Sequence, residues 1–202
     1  MKLTSKKAYR VVKFLLENPE TNQFRISDGT DVAYGWVNEI VNFLHQLDIV
    51  SKSWRKCTLE DPVRLLEMIA FERPLNRLVT KSFRLEATSA LEGENVLRDV
   101  CEQSGVQYGL TVFSGLTRYY QYYIAYPSIH AYISADRIEG RIPHGEGPIT
   151  LVLLSPDHPD ILKNTRRVES FSTCSPTQTV IDLFCSGIGR DAAVKFIETW
   201  RK

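Results

Sequence analysis

Long apolar runs are missing from this chain, and none approaches the roughly 20 residues a transmembrane helix needs, so no helical span is expected. A secretory leader is not expected either: residues 1–7 are basic, but the pattern that follows is amphipathic and holds Lys13 and Glu17. Both readings lead to the expectation of a cytoplasmic protein. Cysteine is sparse. Cys57, Cys101, Cys174 and Cys185 stand far apart with no CxxC and no Cys/His cluster, which points to isolated thiols in a reducing compartment instead of zinc or a disulfide framework. His45, His130, His144 and His158 show no HExxH or His/carboxylate spacing, and GxGxxG, GxxxxGK and GxSxG are all absent. Neither sign of charge dominates: 25 Lys+Arg face 24 Asp+Glu, so there is no global basic signature for nucleic acid.

What is present is ordinary in bulk and uneven in detail. With 43% hydrophobic and 24% charged residues over 202 positions, the chain fits one domain, or a small one joined to a medium one, with a core that needs no disulfides. Residues 1–59 hold nine Lys/Arg against six Asp/Glu, whereas residues 62–202 balance sixteen against sixteen. The surplus surrounds the most informative stretch, residues 22–56.

That stretch reads as a short strand through Phe24 and Ile26, a turn at Asp28-Gly29, and a helix from Tyr34 to Leu47. Val37, Ile40, Val41, Leu44 and Leu47 recur at helical spacing and define one buried stripe. Gly35, Asn38, Glu39, Asn42 and Gln46 occupy the other face, with Trp36 at the stripe's edge and assigned to the core. A core-anchored helix with amides outward suits a DNA major groove, where asparagine pairs with adenine and glutamate accepts from cytosine N4. Base-edge or groove contacts are therefore expected from Tyr34, Gly35, Asn38, Glu39 and Asn42, with Gly35 allowing close approach. The β-prone Ile49-Val50 and the basic Lys52, Arg55 and Lys56 that follow complete the order of a winged helix-turn-helix. Upstream, residues 4–17 read as a helix with Ala8, Tyr9, Val12, Leu15 and Leu16 inward. Its Lys6, Arg10 and Lys13 form a basic stripe, and these three join Lys52, Arg55 and Lys56 as expected phosphate contacts. A full helix before the recognition helix is not apparent, since only residues 28–33 remain for it.

Asp61-Pro62 opens a further helix, with Asp as cap and Pro at the first position, and Val63, Leu66, Ile69 and Ala70 as its apolar face. It reads as a connector over residues 60–80, between a first domain at 1–59 and a second at 81–202. There, strands are expected at 83–87, 128–133, 149–154 and 167–172, with a strand or turn and then a helix within 107–121. Helices are expected at 93–103, after the capping box Ser175-Pro176-Thr177-Gln178, and through Ala193, Phe196, Ile197 and Trp200. The fold class is α+β. Tyr119, Tyr120, Tyr122, Tyr123 and Tyr126 cluster beside Arg118, and are read as helix-end packing with hydroxyls reaching water; the functional alternatives are a protein interface and, behind it, a nucleic-acid stacking platform.

In their order, AYGWVNEIVNFLHQLDIV, DPVRLLEMIAF, YGLTVFSGLTRYY, SIHAYI, SPTQTVIDLF and GRDAAVKFIE resemble the AbiEi-type antitoxins and regulators of type IV toxin–antitoxin systems. The resemblance spans nearly the whole chain, although none of these segments is a catalytic signature. It implies a transcriptional regulator whose winged helix binds double-stranded operator DNA, often repressing its own operon. It also implies a C-terminal α/β domain like a degenerate minimal nucleotidyltransferase. Members paired with a nucleotidyltransferase-like toxin counteract it; others have no established toxin, and the chain does not say which kind it is. A homodimer is expected from the usual pairing of half-sites, not from a sequence signal.

Nucleotidyltransferases set a Gly-Ser pair at a helix start and two carboxylates at alternate strand positions to hold Mg²⁺. Ser114-Gly115 and the strand at 129–133 stand in the corresponding places, but that strand offers His130 and Tyr132, and the strand at 149–154 has no carboxylate. A hard divalent site without oxygen anions cannot be built. The expectation is a non-enzymatic regulator with no cofactor and no metal. Two rivals remain: a protein-interaction module that has lost DNA binding, and a nucleotidyltransferase or nuclease with unorthodox metal ligands.

Overall fold

The computed structural model describes residues 1–122, 126–134 and 136–200, the side chains of 136, 137, 139 and 200 excepted. The chain is mixed α and β, and among the described residues no helix is long and apolar enough to cross a membrane. It divides into two units, Met1–Arg73 and Pro74–Lys202.

The first unit begins with α1 (Lys6–Glu17), which buries Ala8, Tyr9, Val11, Val12, Leu15 and Leu16. Ser5 stands at its N-cap without a side-chain cap bond; instead Thr4 donates its N–H and hydroxyl to Glu72 at 2.9 and 3.1 Å. After β1 (Glu20–Thr21) comes α2 (Gln23–Thr30), where the sequence pointed to a strand and left room only for a shorter helix. The determinant is Asn22, an extended N-cap whose Oδ1 accepts from the Arg25 N–H at 2.9 Å. Phe24 and Ile26 are two residues apart on a helix, so one is exposed and the other buried. A Cβ on Gly29 would run into the Phe14 ring, so α2 approaches α1 closely at this glycine and a larger residue would have to displace that ring.

A turn through left-handed Asp31 leads into α3 (Tyr34–Gln46). Val37, Ile40, Val41 and Leu44 are buried, while Leu47, just past the end, is half-buried. Those four side chains contribute roughly 1.5–3 kcal/mol each by leaving water, which anchors α3 firmly. β2 (Val50–Lys52) and β3 (Cys57–Leu59) form an antiparallel hairpin, and β1 pairs on the other side of β3. The Ser53 N–H closes the hairpin tip on Lys56 O at 2.9 Å, leaving Trp54 and Arg55 at the turn. α4 (Pro62–Glu72) starts on the Asp61 cap, which accepts from the Arg64 N–H at 2.9 Å. The Arg64 guanidinium in turn donates to Leu47 O, the end of α3, at 2.9 Å. Of its expected apolar face, Leu66 and Ile69 are buried together with Leu65, while Val63 and Ala70 are only half-buried. This helix, expected as a connector, lies wholly within the first unit.

The second unit opens with a 3-10 turn (Leu75–Leu78) and β4 (Val79–Arg84). There follow α5 (Ala90–Ser104), β5 (Tyr108–Thr111), α6 (Val112–Leu116) and β6 (Ser128–Ile133). The chain continues through a second 3-10 turn (Asp136–Arg141), β7 (Thr150–Leu154) and α7 (Asp160–Lys163). It ends with β8 (Arg166–Val168), β9 (Phe171–Thr173), α8 (Pro176–Ser186) and α9 (Arg190–Trp200). Six described strands form one sheet in the order β4-β7-β6-β5-β9-β8. The expected strand at 167–172 is instead the β8–β9 hairpin, turned at Glu169 with φ 55°. On β6, Ile129, Ala131 and Ile133 join the core with Leu97 and Cys101 of α5, while Tyr132 meets Asp182 of α8. Alternation along the strand therefore puts α5 and α8 on opposite faces of the sheet.

The tyrosines pack as side chains with protein partners. Tyr119 and Tyr120 stack on Phe196 at 6.3 and 5.7 Å, and Tyr126 stacks on Phe113 at 6.0 Å. The hydroxyls expected to reach water are taken up internally in two cases: Tyr119 donates to Cys174 O at 2.8 Å, and Tyr126 to Glu94 at 3.3 Å. Burial pushes the Tyr119 phenol up to about 12. Tyr123 lies outside the described residues.

Candidate nucleic-acid interface

The outer face of α3 and the β2–β3 hairpin enclose a groove of about 540 Å³. From α3 come Tyr34 and Asn38; from the start of α2, Asn22, Gln23 and Phe24; from the hairpin, Lys52 through Cys57. The groove exists because the buried stripe of α3 fixes which face turns outward, and because the hairpin leaves α3 through the short turn at Asp48 (φ 56°). Sequence proximity does not bring Lys52 to α3; the strand does.

Lys52 Nζ donates to Asn38 Oδ1 at 3.1 Å and to Asn42 Oδ1 at 2.7 Å. Gln23, 8% exposed, adds its Nε2 to Asn38 Oδ1 at 3.3 Å. Lys52 thus lies along the face of α3 itself. Lys56 pairs with Glu20 at 2.8 Å, a surface contact worth roughly 0–1 kcal/mol. Arg55 is exposed at the tip and makes no ion pair among the described residues. Gly35 is open, with nothing within 4 Å of where a Cβ would stand, and Glu39 is exposed.

The structure therefore gathers Tyr34, Asn38, Lys52, Arg55 and Lys56 around one groove, with Asn42 joined through Lys52. Lys6, Arg10 and Lys13 of α1 are not among the residues lining it; Arg10 and Lys13 are half-buried and hold other partners, and Lys13 lies 6.0 Å over the Tyr9 ring. Trp36, expected in the core, is 47% exposed, with Lys7 Nζ 4.8 Å over its ring. One position before the first buried residue of α3, it falls on the rim of the stripe, beside Lys7 of α1.

Asn22, Gln23, Phe24 and Trp54 were missed. The signal for the first three was the Asn22 cap, which turns a supposed strand into a helix start beside α3. For Trp54, 93% exposed, it was the position between Ser53 and Arg55 at a hairpin tip. Trp54, Phe24 and Tyr34 thus put three exposed aromatic side chains on one groove.

In the second unit the places expected for nucleotidyltransferase chemistry hold other contents. Ser114 and Gly115 are buried within α6; a Cβ on Gly115 would lie 3.0 Å from both Leu110 O and Thr179 Oγ1, so the glycine sits in tight packing, while Ser114 Oγ is buried without a hydrogen-bond partner among the described residues. On β6 the Tyr132 hydroxyl donates to Asp182 at 2.9 Å, and the same buried carboxylate accepts from Thr111 at 2.6 Å and Gln178 at 3.0 Å. His130 is held below its usual range, first by burial, with Asp182 pulling the other way. Arg118 bridges Glu94 and Glu169 and stacks 4.2 Å over Phe171. Burial raises Glu94 despite Arg118, Ser114 and Tyr126 around it. Among the described residues no three His, Cys, Asp or Glu side chains come together as a metal site. Comparison with protein-family models, with curated proteins and with solved structures found no match to this chain.

Proposed function

We propose that the first unit is a winged helix-turn-helix that binds duplex DNA, with α3 as recognition helix and the β2–β3 hairpin as wing. On this reading the chain is a transcriptional regulator, an antitoxin-type repressor of its own operon, acting in the cytoplasm as a homodimer. Its second unit, a degenerate nucleotidyltransferase-like domain, performs no chemistry and holds a partner, in some settings a cognate toxin. The observation that supports this best is the groove itself: amides on a core-anchored helix, joined by Lys52 to a hairpin whose tip presents Arg55 and Trp54. Phosphate contacts position such a unit on DNA, and contacts to base edges give it sequence preference.

A gel shift with the protein's own upstream DNA at several salt concentrations tests the proposal. Binding that weakens with salt, and weakens further in an Asn38→Ala/Asn42→Ala variant, is expected. Equal, weak binding by both proteins contradicts it. A second reading, a protein-interaction module, is favoured by the exposure of Trp54 and Phe24. It predicts no DNA binding, and retention of a neighbouring gene's product that is lost in Trp54→Ala.

A further inference from the structure

Asparagine reads adenine by using both ends of its amide: Oδ1 accepts from N6–H while Nδ2 donates to N7. That pairing requires a free oxygen. On α3 the oxygen of Asn38 is already fully committed, and that of Asn42 half so. A lysine ammonium has only donors, so its contacts at 3.1 and 2.7 Å fix which end of each amide faces Lys52. Asn38 Oδ1 accepts a second bond from Gln23 at 3.3 Å, which uses both of its lone pairs. Neither Nδ2 has a partner among the described residues. Lys52 spends two of its three N–H groups on the amides and keeps one.

We propose that Lys52, together with Gln23, makes Asn38 a donor-only group, so that this position of α3 selects a guanine edge and rejects adenine. The proposal rests on the DNA-binding reading above and specifies what the groove recognises. Guanine offers two adjacent acceptors, O6 and N7, in the major groove, and nothing there that needs an acceptor from the protein. Adenine places its N6–H₂ donor where Asn38 presents N–H, which sets donor against donor. Lys52 is thereby a specificity-determining residue, although the wing position would otherwise mark it as a phosphate contact.

The test is selection from a random duplex pool by the full chain, in parallel for wild type, Asn38→Ala, Lys52→Met and Lys52→Arg, with circular dichroism confirming that each variant is folded. The base pair under Asn38 is the one whose preference Asn38→Ala erases. Wild type and Lys52→Arg are expected to prefer guanine there by on the order of tenfold over adenine. Lys52→Met keeps the length and removes the donors, returning one acceptor lone pair to Asn38 Oδ1 while Gln23 holds the other, and its preference is expected to move to adenine. Adenine at that position in wild-type selections overturns the proposal while leaving DNA binding intact, as does a guanine preference unchanged in Lys52→Met. If folded wild-type protein enriches no duplex at all, the DNA-binding reading itself falls and takes this inference with it.

Discussion

Arg55 is where charge and exposure meet most simply. It projects from the hairpin tip without an ion pair among the described residues, so on the DNA-binding reading it serves a phosphate. Arg55→Ala is expected to weaken binding about equally across sequences and to lower the salt slope by about 1, measured by anisotropy over a salt series. At the other extreme, the four cysteines are all buried thiols outside any disulfide, and burial raises Cys101 to about 12. Thiolate is the reactive form, so a disulfide reagent is expected to label none of them quickly in the native protein and all four after denaturation. Fast labelling of a native thiol would contradict the packing of its unit. Glu94 gives a pH signature. Its folded pKa is raised above the ordinary carboxylate value, so the folded state holds the proton more tightly than the unfolded chain. The stability linked to that proton is complete below the unfolded pKa and is lost as pH rises through the folded one. Glu94→Gln cannot titrate, so its stability relative to wild type is expected to rise as pH climbs from about 4.5 towards neutrality. Urea unfolding of both proteins across that window measures it; a constant difference would contradict the raised pKa.

At the scale of elements, α3 was legible and α2 was not, for the same physical reason. Four buried residues of α3 repeat at helical spacing over its length, and only a helix puts Val37, Ile40, Val41 and Leu44 on one side. Over eight residues α2 has only Ile26 as a large apolar anchor, so periodicity has little to act on and the Asn22 cap decides. Asn22→Ala is accordingly expected to cost about 1 kcal/mol in chemical denaturation, and Leu44→Ala about 2–5 kcal/mol. A cap variant as stable as wild type would mean that packing alone holds α2. The tie between Lys52 and the α3 amides had no signal in the sequence, because it depends on how the hairpin returns across the helix. Its three residues were each singled out, but Lys52 was given to phosphate. The second unit's sheet was readable at β6, where Ile129, Ala131 and Ile133 alternate, and at β7, whose apolar run is bounded by turn residues. It was not readable at β8–β9, where three-residue strands are too short for alternation to appear around the turn at Glu169.

For the whole molecule, the two units distribute polar side chains in opposite ways. In the second, two carboxylates are enclosed and paired, Asp182 by Thr111, Tyr132 and Gln178, and Glu94 by Arg118 and Tyr126, while Ser114 Oγ, Arg118 Nε and Thr179 Oγ1 are buried without a hydrogen-bond partner among the described residues. Such paired carboxylates hold a core in register, and their removal is felt as lost stability. In the first unit, polar and aromatic groups line an open groove beside exposed Trp54, Phe24 and Tyr34. The exposure of that groove is why the proposed recognition is placed in the first unit. The most direct measurement is the affinity of the full chain for duplex DNA as a function of salt, by fluorescence anisotropy. The account predicts that log K falls linearly with log salt, by about 0.9 per phosphate neutralised, with a slope reduced in Arg55→Ala. No binding by folded protein at about 50 mM salt, or binding whose affinity ignores salt, would contradict it.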